Sequence, residues 1–288
     1  MSQTPIIDIE GLTVTYRGQA RVVTAVKDIT LALGRERLGI VGESGSGKST
    51  IGRAILKLLP ETARIEARRL RLGGTDLLQA SERQMRAIRG RRISMVLQDP
   101  KYSLNPVITV GEQIAESYRV HTSSRRAEAR QRALDMLAAV HIRDPARVYD
   151  LYPHEVSGGM GQRIMIAMML IPEPEVLIAD EPTSALDVTV QARLLELIDE
   201  IIQRRGMALI LISHNLNLVA SFCDRVVVMY AGRIMEVCKA SELSAARHPY
   251  TRGLIACRPV IGQPVAELPT LTRDSAWLDA PATLGAES

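Results

Sequence analysis

The stretch GESGSGKST, residues 42–50, limits what this chain can fold into more than any other feature. It fits the pattern G-x-x-x-x-G-K-[ST] in full, and it lies between an apolar run, LGIV, and a helix-periodic one, STIGRAILKLL. Strand, glycine loop and helix in that order form the context in which backbone amides wrap a row of phosphates. On that reading Gly42, Glu43, Ser44, Gly45, Ser46, Gly47 and Thr50 line a nucleotide. Lys48 neutralises its β and γ oxygens, and Ser49 binds Mg²⁺ through its hydroxyl.

The rest of the chain must supply a fold that presents this loop. IIDIEGLTVTY alternates apolar and polar residues, and VVTAVKDITLAL has a similar pattern, so the chain opens with antiparallel β structure. From about Ser81 to Tyr152 the composition changes to charged, amphipathic helical segments such as SERQMRAIRGRR and SSRRAEARQRALDMLAAV. An inserted helical lobe over about residues 81–160 is expected there. PEVLIADEP and MALILISHN are apolar runs of strand length, with the helix VQARLLELIDEIIQRRG between them. This βαβ alternation implies a mainly parallel sheet covered on both faces. RVVVMYAGRIMEV reads as a hairpin turning at Ala231 and Gly232. Beyond Pro259 the period is lost, and a loosely ordered tail over 259–288 is expected.

Composition narrows the function classes. A chain of 288 residues with 46% apolar content supports one large core, or a core with a smaller lobe attached. The net charge of +4 comes without basic and aromatic interleaving, and aromatics make up only 3%, so no nucleic-acid partner is expected. The three cysteines, Cys223, Cys238 and Cys257, are spaced for neither a four-thiolate metal site nor paired disulfides, which suggests a reducing compartment. The longest uncharged apolar run, IMIAMMLI, falls far short of the roughly 18 residues that span a bilayer. MSQTPIIDIE lacks a basic segment followed by an apolar one, so the chain is expected to be neither inserted nor exported.

Other residues gain meaning beside the phosphate loop. VLIADE ends a strand in two carboxylates: Asp180 is placed to hold Mg²⁺ through its water shell, and Glu181 to reach the water attacking the γ-phosphorus. Neighbouring side chains of an extended chain point in different directions, so two acids can serve two tasks. Gln98 ends the strand-like ISMVLQ and can contact Mg²⁺ or the attacking water. His214 ends LILISH and can reach the γ-phosphate, and Tyr16 ends the first strand and can stack on adenine. Read singly, a glutamine after a strand is a polar boundary, a histidine there a structural hydrogen bonder, and a tyrosine a core residue. EVSGGMGQR places Ser157, Gly158 and Gly159 at the start of an apolar helix, a second anion-favouring helix start in a chain that already has one. Two such starts would compete for one nucleotide unless the second faces the nucleotide of another chain. Alone, S-G-G is an ordinary helix cap.

Taken in order, the phosphate loop, the glutamine, S-G-G-x-x-Q, D-E, SALD and the histidine after the next strand resemble the nucleotide-binding subunit of ATP-binding cassette transporters. The resemblance covers about Ile6 to Glu242. It implies an α/β fold: a P-loop NTPase core of the RecA-like kind with an N-terminal antiparallel β subdomain and an inserted α-helical subdomain, forming one cassette domain over 1–258. It further implies Tyr16 as adenine platform, Gly42 to Thr50 as the Walker A loop, Gln98 as the Q-loop residue and Ser157 to Gln162 as the signature. Asp180 and Glu181 become the Walker B acid and catalytic base, Ser184 to Asp187 the D-loop, and His214 the switch histidine. ATP and Mg²⁺ are the implied cofactors.

Finer stretches, QDPKYSLNPVITVGEQI, YPHEVSGGMGQRIMIAM, ADEPTSALDVTVQARLLELI and HPYTRGLIAC, resemble the branch that serves dipeptide, oligopeptide and nickel importers. That branch implies two transmembrane permease subunits, a second ATP-binding cassette subunit that is a paralogue or a copy, and a periplasmic solute-binding protein that delivers cargo. It also implies peripheral attachment at the cytoplasmic face of a bacterial inner membrane. Peptides, nickel chelates, opines and sugars are all admissible cargo. Many members carry a carboxyl-terminal cysteine cluster for an iron–sulfur centre; only Cys257 lies in that region here, so no cluster is expected. Two departures from the family are Val156 and Gly161 in the signature and Asn215 where an aspartate usually follows the histidine. The rival readings are a soluble relative acting on ribosomes or nucleic acid, and a phosphate-loop small-molecule kinase. The first is disfavoured by the single cassette without sustained heptads, and the second leaves S-G-G and the D-loop without a role.

Overall fold

The structure is a computed structural model that describes residues 4–18, 21–96, 104–183, 188–257, 274–278 and 283–284. β1 (Ile7–Arg17) and β2 (Val22–Leu33) pair antiparallel from Ile7 opposite Leu33 to Arg17 opposite Val22. Their alternation, stepped by register shifts on either side of Leu12, buries Ile7, Ile9, Leu12 and Val14 of one strand and Val26, Ile29, Leu31 and Leu33 of the other. β3 (Arg37–Gly42) is the short apolar strand before the phosphate loop, and α1 (Lys48–Ile55) is the helix after it. β4 (Ala63–Glu66) and β5 (Arg69–Leu72) both pair antiparallel with β1, and β6 (Thr75–Asp76) pairs with β5.

α2 (Glu82–Ile88) opens with a capping box in which Ser81 Oγ accepts from the Gln84 amide and Gln84 Oε1 accepts from the Ser81 amide. β7 (Ile93–Val96) follows, then α3 (Val110–His121), α4 (Arg126–Ala139) and α5 (Pro145–Tyr149). After a 3-10 turn at Pro153–Glu155 comes α6 (Gly158–Leu170). β8 (Val176–Asp180) pairs in parallel with β7, and α7 (Val188–Arg205) leads to β9 (Ala208–Ser213). α8 (Leu216–Phe222) precedes the hairpin of β10 (Arg225–Tyr230) and β11 (Arg233–Lys239), which turns at Ala231 and Gly232 with φ of 44° and 83°. Both central residues at positive φ match the twist of a two-residue hairpin. A 3-10 turn at Ala240–Ala245, α9 (Pro249–Ala256), a 3-10 turn at Ser275–Leu278 and β12 (Thr283–Leu284) complete the described elements.

The chain forms two compact units, Met1–Gln79 with Leu211–Ser288, and Ala80–Ile210; β9 begins in the second and ends in the first. In the first, β10 pairs in parallel with β3, from Arg225 opposite Leu38 to Met229 opposite Gly42, and antiparallel with β11. α8 sits closely on β3, because a Cβ on Gly39 would lie 2.1 Å from Val219 Cγ1. The second unit holds more than the expected helices of residues 81–160. It also contains β7, β8 and α7, and these are tied to their neighbours: Arg92 O accepts the amides of Glu175 and Val176 at 2.9 and 3.0 Å, and Arg205 Nη1 donates to Leu170 O at 2.7 Å.

Of the tail, Thr283 and Leu284 pair with Glu236 and Val237, and Trp277 packs against Tyr230 and Tyr250 with centroids 5.9 and 5.7 Å apart. No helix among the described residues is long and apolar enough to cross a membrane.

Candidate active site

The first unit builds the phosphate loop. Leu38, Ile40 and Val41 are fully buried, which fixes β3 and delivers the chain to Gly42. There φ is +153°, and a Cβ would lie 2.1 Å from Met229 O of β10. Gly47 has φ +96°, with the Cβ position 2.4 Å from Ala25 O of β2. The loop is therefore pressed between two backbones at its two ends, and its exposed middle is Ser44 and Gly45. The hairpin turn closes on it as well, since the Gly232 amide donates to Ser46 O at 3.1 Å.

Gly47 is the N-cap of α1 and offers no side chain to the first amides of that helix. Uncapped amides at a helix start, with the positive end of the helix dipole behind them, favour an anion. Lys48 is only 5% exposed, and its Nζ donates to Gly42 O at 2.8 Å, Glu43 O at 2.7 Å and Ser46 Oγ at 3.4 Å. A buried ammonium needs such partners, and here they hold it within the loop. Ser49 and Thr50 follow it in the first turn, both half-buried. Tyr16 is half-buried on β1 opposite Val23, which is 44% exposed and follows Val22 at 66%. Two residues along β2, Ala25 stands behind Gly47. One strand thus joins an apolar ledge, suited to a planar base, to the wall of the phosphate loop. His214 is exposed just after β9, and Asn215 Oδ1 accepts from the Leu218 amide at 3.2 Å. An aspartate there would cap α8 in the same way, so the departure at Asn215 keeps the helix start intact.

The second unit carries the other group. Ser157 caps α6, its Oγ accepting from the Met160 amide at 3.4 Å. Ser157 and Gly158 are exposed, and a Cβ on Gly158 would meet nothing within 4 Å among the described residues. Among the described residues the helix start is therefore open at Gly158. Gln162 departs from the expectation of a residue presented at that start: it is 3% exposed and donates Nε2 to Pro182 O at 3.4 Å. Its Oε1 has no hydrogen-bond partner among the described residues. Gly161 is buried in the same helix.

Asp180 ends the fully buried strand β8 and is 4% exposed. Glu181 has φ +49° although it is neither glycine nor asparagine and precedes a proline, which favours extended backbone. Such conformations cost about 1–3 kcal/mol and persist where surrounding structure imposes them, most often at functional sites. Gln162 grips the next residue. Gln98, Ser184 and Asp187 lie outside the described residues. Burial pushes the thiols of Cys223 and Cys238 up to about 12 and about 11, so neither is a thiolate at neutral pH. Sequence reasoning had no role for Tyr250, whose hydroxyl accepts from the Glu43 amide at 3.4 Å; HPYT was visible only as a family resemblance.

The ABC transporter family matches residues 26–184. A probable peptide ABC transporter ATP-binding protein of Sinorhizobium fredii is 50% identical over 257 residues, covering 88% of this chain and 77% of that protein. The dipeptide transport ATP-binding protein of Escherichia coli is 44% identical over 268 residues, covering 92% of this chain and 82% of that protein. Among solved structures, a dimeric ATP-binding cassette in a post-hydrolysis state with ADP and phosphate superposes with a TM-score of 0.70 at 25% identity, over 81% of this chain and 98% of that one. With its phosphate loop built as an anion cradle and its acid pair at the end of a buried strand, the chain belongs to the ATP-binding cassette family of ABC transporters, as one of its ATP-hydrolysing subunits.

Proposed function

We propose that this chain energises the import of peptides or chemically related small solutes through a membrane permease. Peptide cargo is supported by the relatives of Sinorhizobium fredii and Escherichia coli, named for peptide and dipeptide transport. The observation that carries the reading of the site is Lys48, a buried ammonium held by loop oxygens at the mouth of an uncapped helix. It serves the β- and γ-phosphates of ATP, while the amides of Gly42 to Thr50 surround them and Tyr16 carries the adenine.

Mg²⁺ fits the donors available, hard oxygens of hydroxyl, carboxylate and amide: Ser49, Asp180 and Gln98 would hold it. When bound it neutralises charge that builds on the phosphoryl oxygens. Glu181 accepts the proton of the attacking water, and His214 steadies the γ-phosphate. Ser157, Gly158 and Gly159 present the open start of α6 to the γ-phosphate held by a second cassette, copy or paralogue, in a head-to-tail pair with Asp187 at the junction. Gln162 then supports that helix from behind. Each triphosphate is shared by two chains, so cleavage removes the charge that joins them and the pair opens. Swinging a two-state permease from 1:99 to 99:1 needs about 5.5 kcal/mol of differential binding, within reach of two such sites. Two permease subunits take up this motion, a periplasmic solute-binding protein delivers the cargo, and the chain works at the cytoplasmic face of the inner membrane.

Glu181→Gln tests the reading. It should retain MgATP binding, lose nearly all hydrolysis and accumulate as a nucleotide-bound pair on size exclusion; ordinary turnover would remove Glu181 from its role. Stimulation of hydrolysis by peptides, and not by nickel chelates or sugars, in the reconstituted complex would assign the cargo.

A further inference from the structure

α9 and the turn before it take no part in the reaction just described, yet Tyr250 is the largest fully buried side chain among the described residues. Its setting is built in layers. Glu236 is 3% exposed and accepts the amides of Arg247 at 2.7 Å and His248 at 3.2 Å, which fixes the turn. His248 Nδ1 accepts the Tyr250 amide at 3.1 Å. Burial holds His248 below the ordinary imidazole value, against the pull of Glu236, and so favours the neutral ring this acceptor requires. The Tyr250 ring lies 4.7 Å from that of Tyr230 and 5.7 Å from that of Trp277, centroid to centroid.

Held in this way, the Tyr250 hydroxyl accepts from the Glu43 amide at 3.4 Å. That amide belongs to the same peptide unit as Gly42 O, which accepts Lys48 Nζ at 2.8 Å. The unit is planar and trans, so its N–H and C=O point opposite ways and turn together. One rigid plane is gripped by a tyrosine hydroxyl at one end and by the lysine ammonium at the other. Ala25 and Gly232 press on other parts of the loop, at Gly47 and Ser46, while Met229 O backs the Cα of Gly42, the pivot of this plane.

We propose that Tyr250 is a positioning residue for nucleotide binding: by holding the amide end of the Gly42–Glu43 peptide, it sets where the carbonyl end places the Lys48 ammonium. The segment HPYT is then the far support of the phosphate loop. The inference rests on the reading of that loop as the nucleotide site. Loss of the hydroxyl removes one of the bonds that order the plane before the ligand arrives, which lowers affinity while the chemistry of a bound ATP is unchanged.

The test is Tyr250→Phe in the full chain, which keeps the ring and its stacking. Binding of a fluorescent ATP analogue with Mg²⁺ should weaken about three- to tenfold, the range of one hydrogen bond, with kcat at saturating ATP within about twofold of the parent. A folded variant with unchanged affinity, or one whose kcat falls while affinity holds, overturns the proposal. Lys48→Ala is measured beside it. If that variant binds normally, the loop reading itself fails; if it loses binding while Tyr250→Phe does not, only the positioning role fails. Amide exchange on the parent protein decides the matter even if Tyr250→Phe does not fold. The Glu43 amide should exchange at least tenfold more slowly than those of the exposed Ser44 and Gly45, and equal rates overturn the proposal.

Discussion

Replacing Gly39 with alanine measures how closely α8 is seated on the strand that delivers the phosphate loop. The added Cβ would lie 2.1 Å from Val219 Cγ1 and 3.1 Å from Cys223 Sγ. Carbon atoms in contact rest about 3.5–4.0 Å apart, so the methyl overlaps the valine by more than an ångström. Val219 must leave its rotamer or α8 must lift. Overpacking of this kind costs about 1–3 kcal/mol, and alanine recovers roughly 0.5–1 kcal/mol over glycine in a strand. A net loss of about 0–2.5 kcal/mol is expected.

Val219 is fully buried, and its truncation to alanine removes two methyl groups worth about 0.8 kcal/mol each, before any cavity is counted. In the double variant the two changes compensate. The methyl added at position 39 enters the space vacated by Cγ1, and the nearest remaining atom of residue 219 is Cβ at 3.4 Å, an ordinary contact. The double variant should therefore be more stable than the sum of the single losses by about 1–3 kcal/mol. Urea denaturation of the parent and the three variants gives the cycle. ATP turnover gives a second readout, because α8 begins at the Asn215 cap beside His214: turnover should fall in Gly39→Ala and recover in the double variant. Losses that simply add, with coupling below about 0.5 kcal/mol, would show that α8 is not held at this distance.

Two further variants probe single interactions. The Asp224 carboxylate is raised by burial, but the Arg37 guanidinium and amide outweigh that and hold it below its ordinary value; the pair therefore stabilises the fold above about pH 4, the unfolded carboxylate value. That stability is lost as pH falls through the depressed value, and Asp224→Asn should flatten this acid limb in melting curves taken from pH 7 to 3. Thr251 is fully buried with an Oγ1 that has no partner among the described residues, so Thr251→Val should leave the urea midpoint unchanged or raise it, whereas a loss above about 1 kcal/mol would reveal a hydrogen bond.

The elements legible in the sequence are those whose cause is local. β3, α1, β8 and the β10–β11 hairpin each announce themselves by a short apolar run, a glycine loop or a turn pair, and all stand where the residues place them. β4, β5 and β6 are different: none exceeds four residues, too short to establish a period, and β4 and β5 depend on pairing with β1, roughly 50–65 residues earlier, as β6 depends on β5. The same limit governs the site. That Lys48 and Ser49 belong to an anion loop follows from the spacing of neighbours. That Tyr250 touches Glu43 follows from a register 207 residues away and leaves no local trace. Gln162 is a subtler case, since position six of the signature suggests a place at the helix start, while helical periodicity turns it inward toward Pro182.

The glycines of the phosphate loop are commonly explained together, as room for phosphate, but here they are not equivalent. Gly45 has φ +79° and nothing within 4 Å of a Cβ among the described residues, so alanine there meets only the conformational cost, about 1–2 kcal/mol. Gly47 has a similar φ of +96°, yet its Cβ would sit 2.4 Å from Ala25 O. That oxygen belongs to the backbone of a paired strand, and Lys27 beyond it is fixed by the Gly232 carbonyl at 2.8 Å. It cannot yield as a side chain would. Gly47→Ala should therefore cost a further 1–3 kcal/mol or so over Gly45→Ala in urea denaturation of the nucleotide-free proteins. Equal losses would show that β2 gives way, and that the loop's shape is set by its own torsions. An unequal result would mean that part of the glycine pattern records the closeness of β2 to the loop and not the shape of the phosphate.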